Sequence, residues 1–167
     1  MTLWRISNHA NLSGEGGRRA SARWHTAGNP VVYLASSPAS ALLESLVHEL
    51  ALDELPERYQ WLEVLIDDLV RPASSPVLPD GWHQELSKSR AIGDAWLKEG
   101  SAALLEVPSV IVPRTANYLF NPRHPQAASV RITSVIRLRR QFSTVKNDSS
   151  KPGPPAAASA SATVGCD

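Results

Sequence analysis

Residues 29–50, NPVVYLASSPASALLESLVHEL, change periodicity within a few positions, and this change limits the architecture more than any other feature of the chain. The run NPVVYLAS is short, apolar, β-branched and aromatic. It follows a Gly-Asn-Pro turn signal, which predicts a buried strand. Ser37 then offers a side chain that can cap free backbone N–H groups, and Pro38 a φ already set for a helix, the pattern of an N-cap and first helical position. Ala39, Leu42, Leu43, Leu46, Val47 and Leu50 recur at helical spacing and predict an amphipathic helix of about three turns. Strand, turn and helix form one unit.

The rest of the chain alternates such elements without a regular strand–helix–strand beat. YQWLEVLID reads as a second strand, ended by Asp-Asp and a Pro/Ser-rich loop, and SKSRAIGDAWLKEG as a short helix with Gly100 as its stop. AALLEVPSVIVP reads as a strand interrupted at Pro108, and SVRITSVIRL as a final strand. The expected class is therefore α+β, not a doubly wound parallel sheet. From Ser143 onward, STVKNDSSKPGPPAAASASATVGCD has almost no large apolar residue and cannot bury enough surface to offset its ordering entropy. The expected organisation is one folded domain over residues 1–142 and a disordered low-complexity tail over 143–167.

Composition narrows the function classes. With 43% apolar residues in a chain of 167, a real core is available. A net charge of +1 argues neither for bulk nucleic-acid binding nor for an acidic partner. No apolar stretch has signal-peptide length, and none reaches the roughly 18 residues of a membrane span, so a cytoplasmic location is expected. The lone cysteine, Cys166, excludes a disulfide framework and a thiolate cluster. His9, His25, His48, His83 and His124 show no HxxxH or HxH spacing, and no metal is expected.

Several stretches carry chemistry-bearing residues, each with an ordinary alternative. SGEGGRRASARW, residues 13–24, is glycine-rich and basic, as a phosphate-binding loop would be. It lacks both the GKS/T ending of a P-loop and a GxGxxG after a strand, so Arg18, Arg19 and Arg23 also suit a solvated surface loop. Glu44 falls about 130° from the centre of its helix's leucine stripe, on the side of His48. Alone it reads as a hydrated carboxylate pairing with its i+4 neighbour, unless that polar face lines a cleft. Tyr33 within VVYLA fits a core tyrosine whose hydroxyl finds a partner at the strand's end. Ser109 fits a strand-edge serine outside any GxSxG elbow, and NYLFNPRHP, residues 117–125, fits a packed loop.

Taken in order, LWRIS, SGEGGRR with RW, GNPVVYLASSPASALLESLVH, LPERY, IGDAWLKEGSAALLEVPSVIVP and NYLFNPRHP resemble the RES-domain family. That family is named for an Arg, a Glu and a Ser and supplies toxins of bacterial RES–Xre toxin–antitoxin pairs. The resemblance runs from about residue 3 to 137. It implies an ADP-ribosyltransferase-like fold of mixed sheets with flanking short helices. It also implies cleavage of the nicotinamide–ribose bond of NAD⁺ by hydrolysis or phosphorolysis, so that NAD⁺ is a substrate and no resident cofactor is required. The family's catalytic positions fall on Arg23, Tyr33 and Glu44, and NAD⁺-binding positions on Arg5, Ser109 and Asn117. The implied partner is an Xre-type helix-turn-helix antitoxin that blocks the cleft. Direct nucleic-acid or membrane contact is not implied, and a homodimer is allowed. Two alternatives share the fold: transfer of ADP-ribose to a protein, and an inactive domain that serves as an antitoxin-binding module. A ribonuclease finds no acid–base set among the scattered histidines. In SARWH, Ala22 and His25 stand where the family's pattern has glycine and a carboxamide, and the C-terminus diverges after about Leu138.

The residue types suit that chemistry. Nicotinamide leaves NAD⁺ as an already cationic base and needs no protonation, so the transition state resembles a ribosyl oxocarbenium ion. On this reading one carboxylate, Glu44, holds the ribose 2′-hydroxyl and stabilises the developing charge. Tyr33 stacks on the nicotinamide ring. Arg23 and Arg5 pair with pyrophosphate oxygens through planar guanidinium groups.

Overall fold

A computed structural model describes residues 1–48 and 59–137; the expected tail over 143–167 lies outside the described residues. The strands are β1 (Thr2–Ser7), β2 (Val32–Ala35), β3 (Gln60–Ile66), β4 (Leu104–Pro108), β5 (Ala116–Phe120) and β6 (Val130–Arg137). The helices are α1 (Glu15–Arg19), α2 (Pro38–His48) and α3 (Leu86–Glu99), with a 3-10 turn at Pro125–Ser129. The strands form one six-stranded sheet in the order β4-β5-β2-β1-β3-β6. Each named pair is antiparallel, and an isolated bridge from Ala73 to Leu105 is parallel. The α+β class expected from the sequence is the class observed.

Side-chain alternation divides the sheet between two apolar clusters. β3 sends Leu62, Val64 and Ile66 to one face, where they pack with Leu3, Val32, Leu34, Leu104 and Phe120. Burying side chains of this size contributes about 1.5–3 kcal/mol each, so this face dominates the core. The opposite face packs Val31, Leu105, Val107 and Leu119 against Trp24 and the α3 residue Trp96. In the β2–β5 register Tyr33 lies opposite Leu119 and Ala35 opposite Asn117. Residues opposite each other share a face, and positions two apart along a strand do too. Tyr33 and Asn117 therefore emerge on the α3 side of the sheet.

The strand–turn–helix unit forms as its sequence pattern predicts. Ser37 caps α2: its Oγ accepts from the Ser40 backbone N–H at 3.1 Å and lies 2.9 Å from Ser40 Oγ. Gly100 ends α3 in the left-handed region, with φ 60° and its N–H donating to the Trp96 carbonyl.

Three elements lie where the sequence reading places none. β1 carries no clean alternation, yet it sits mid-sheet with hydrogen-bonded partners on both edges. β5 occupies NYLF, which reads locally as loop, and is likewise held between β2 and β4. In both, pairing on two edges supplies a strand that the local hydrophobic pattern does not signal. Glu15–Arg19 is a short helix where a flexible loop is expected. Gly14 (φ 72°) enters it with a Cβ position only 2.6 Å from the Val31 nitrogen, so any side chain there would strike the backbone.

Candidate active site

A cleft of about 400 Å³ opens between the glycine-rich segment, β1, β2 and α2. Small-molecule sites commonly span about 300–1,000 Å³. Arg5, Arg23, Tyr33, Glu44 and Asn117 all line this cleft. Ser109 is buried and does not line the cleft; it is joined to the cleft through its hydrogen bond to Glu44. Arg18 and Arg19 are exposed and point elsewhere; Arg18 pairs with Glu15 at 3.2 Å.

Glu44 is half-buried on α2 and not a hydrated surface carboxylate. Its Oε1 accepts from Ser109 Oγ at 2.6 Å and from Asn117 Nδ2 at 2.7 Å. Hydrogen bonds to a charged acceptor are short and about twice as strong as neutral ones, so these two donors fix the carboxylate's direction. Ser109 is itself held, because its Oγ also accepts from the backbone N–H of Ile111 and Val112 in the turn after β4. Asn117 Oδ1 is buried without a hydrogen-bond partner beside this pair. A buried unpaired acceptor costs about 1–3 kcal/mol, a cost that persists chiefly where a site demands it.

Tyr33 presents its ring to the cleft while its hydroxyl is anchored behind it. The phenolic oxygen accepts from the Trp24 backbone N–H at 3.1 Å and lies 2.9 Å from His25 Nδ1. Burial holds the Tyr33 phenol well above the ordinary tyrosine pKa, so the group is neutral at physiological pH. Ala22 has no left-handed φ, so this position does not require glycine; its N–H donates to the His25 carbonyl at 3.0 Å and tightens the turn.

Arg23 is placed by its backbone. One face of α3 grips residues 22–26: Ser89 Oγ donates to the Arg23 carbonyl at 2.6 Å and Arg90 Nε to the Ala22 carbonyl at 2.8 Å. Asp94 Oδ1 accepts from the Thr26 N–H at 2.9 Å. The Arg23 side chain donates from Nη1 to the His83 carbonyl at 3.0 Å. Arg5 donates to the Asn11 carbonyl at 3.3 Å, and burial pulls its guanidinium below the usual arginine range. The sequence reading missed Ser89, Arg90 and Asp94. The four-residue spacing of the small residues Ser89 and Gly93 on a helix was the available signal for close approach of another backbone. Among the described residues no group of three or more His, Cys, Asp or Glu could hold a metal ion, and no helix is long and apolar enough to cross a membrane.

Comparison with known proteins identifies the family of the chain. The RES domain model matches residues 2–142. Toxin Res of Pseudomonas putida is 51% identical over 133 residues, covering 79% of this chain and 92% of that protein. The Prs ADP-ribosylating toxin of a Sphingobium species is 37% identical over 146 residues, covering 80% and 90%. The structure of the M. tuberculosis MbcT–MbcA toxin–antitoxin complex aligns with a TM-score of 0.64 over 82% of this chain and 83% of that one. At 18% identity that likeness carries the fold alone.

Proposed function

Because the chain belongs to the RES-domain family, we propose that it is the NAD⁺-cleaving toxin of a toxin–antitoxin pair. The carrying observation is the Glu44 carboxylate, held by Ser109 and Asn117 in a cleft that Tyr33, Arg23 and Arg5 also line. One fixed carboxylate is what departure of a cationic leaving group needs. As the C–N bond breaks, positive charge develops on the ribosyl carbon, and a preorganised anion stabilises it without reorganisation. Tyr33 offers a flat, neutral face for the nicotinamide, and Arg23 and Arg5 offer bidentate donors for the pyrophosphate. The bond pair leaves with nicotinamide. Water adding to the ribosyl carbon gives ADP-ribose and a proton; inorganic phosphate gives the 1″-phosphate.

NAD⁺ enters as substrate, and the chemistry asks for no cofactor or metal. The partner is an Xre-type helix-turn-helix antitoxin seated over the cleft, and the setting is the cytoplasm. A second reading, transfer of ADP-ribose to a protein, is favoured by the name of the Sphingobium relative. Nicotinamide release from NAD⁺ by the purified chain, with and without phosphate, tests both. Release that falls about 10²–10³-fold in Glu44→Gln, with free ADP-ribose or its phosphate as co-product, is the expected result. Release without a free co-product moves the reading to a protein acceptor. No release from folded protein free of antitoxin overturns catalysis and leaves the antitoxin-binding module.

A further inference from the structure

We infer that His25 is a positioning residue that fixes the Tyr33 ring for the reaction by tying its hydroxyl to the glycine-rich segment; this rests on the functional reading above. His25 is 2% exposed and spends both ring nitrogens on the site wall. Its Nε2 lies 3.1 Å from the Gly17 carbonyl, which can only accept, so Nε2 carries the proton. In the neutral ring Nδ1 then holds a lone pair, and the Tyr33 O–H, 2.9 Å away, donates to it. The Trp24 N–H donates to the same phenolic oxygen. Tyr33 is thereby held at its hydroxyl from two directions while its ring lines the cleft. The rings of His25 and Tyr33 are tilted by 51° with centroids 5.7 Å apart, so the hydrogen bond and not a stack joins them.

The anchor at the far end is rigid. A Cβ on Gly17 would lie 2.7 Å from Val31 Cγ1 and 3.0 Å from His25 Nε2, so its backbone is packed between them. The chain Gly17 carbonyl–His25–Tyr33 therefore transmits the position of the glycine-rich segment to the ring that meets the substrate. A reacting group misplaced by about 1 Å can lower a rate on the order of 10²-fold. Imidazole is suited to the task because its two nitrogens face opposite ways. Asparagine keeps an acceptor near the Nδ1 position but falls short of Gly17.

The test is a double-mutant cycle on the full chain, reading kcat and KM for NAD⁺ cleavage alongside thermal midpoints. His25→Leu removes both contacts at similar volume, and kcat should fall about tenfold or more. His25→Asn, which retains the acceptor for Tyr33 but loses the reach to Gly17, should recover only part of that loss. In a Tyr33→Phe background, His25→Leu should lower kcat less than about twofold further, because the shared hydroxyl is already gone. An equal fall in both backgrounds, or full kcat in His25→Leu, overturns the inference. Nitrogen NMR of the wild type supplies a readout that needs neither turnover nor a stable His25→Leu protein. The Nε2–H tautomer, with an Nδ1 resonance that moves on Tyr33→Phe, is expected, and the Nδ1–H tautomer overturns the inference. A wild type that releases no nicotinamide but shows the expected resonances overturns the functional reading and leaves the His25–Tyr33 link as architecture.

Discussion

Glu44 stands on the polar side of an amphipathic helix, where water is the ordinary partner of a carboxylate, and instead takes two protein donors on one oxygen. Ser109 matters twice there, since the hydroxyl that donates to Glu44 also caps the turn after β4. Removing a hydrogen bond to a charged group costs about 1.5–3 kcal/mol. Ser109→Ala should therefore lower the thermal midpoint by several degrees and kcat/KM for NAD⁺ cleavage about 10- to 100-fold. A lowered midpoint with unchanged kcat/KM would make the contact structural only. The helical wheel marked Glu44 as off the apolar stripe but could not say what it faced. Ser109 lies 65 residues away in sequence, and no local pattern reports a contact of that range. The family resemblance brought Arg23, Tyr33, Glu44, Ser109 and Asn117 together on paper; the geometry supplies the reason that Ser109 and Asn117 belong with Glu44.

At the scale of elements, α3 acts as a template for the loop that carries Arg23. Ser89, Arg90 and Asp94 bind its backbone, and Gly93 lets the two surfaces meet: a Cβ there would lie 1.7 Å from the Trp24 carbonyl oxygen. On an isolated helix, glycine to alanine is favourable by about 0.8–1 kcal/mol. Here the sign reverses, because backbone cannot yield as a flexible side chain would. Gly93→Ala should destabilise the fold by about 1–3 kcal/mol in denaturant unfolding and weaken NAD⁺ cleavage by displacing residues 22–26. A stabilised, fully active Gly93→Ala protein would contradict this packing. The extent of α3 and its Gly100 stop were legible because capping chemistry is local. The purpose of Gly93 was not, because its partner is Trp24. The same division explains α2, which the sequence marks clearly, and β5, whose strand character comes from its two neighbours.

At the scale of the molecule, strand order decides the site, and strand order is the least local property of all. β2 lies between β1 and β5, so residues as far apart in sequence as Arg5 and Asn117 meet at one cleft. The arrangement also turns the Tyr33 hydroxyl inward, away from solvent, and this gives the whole molecule a pH dependence. Burial raises the Tyr33 pKa in the folded state, whereas the unfolded chain has a tyrosine pKa of about 10. Above that value the unfolded state has lost a proton that the folded state keeps, so the unfolded state binds fewer protons and stability falls as pH rises. The contribution is complete below about pH 10 and drains away as pH climbs toward the folded-state value. Tyr118 shifts in the same direction, through burial and the nearby Glu106 carboxylate, and adds to the decline. Denaturant midpoints measured from about pH 8 to 11 should therefore drop steeply for the wild type and less steeply for Tyr33→Phe, which retains only the Tyr118 share. Tyr33→Phe should be less stable than the wild type at pH 8, having lost the Trp24 and His25 contacts, so the two curves should converge as pH rises. Parallel curves would mean that the Tyr33 hydroxyl meets solvent in the folded protein, and the anchored ring behind the cleft would have to be abandoned.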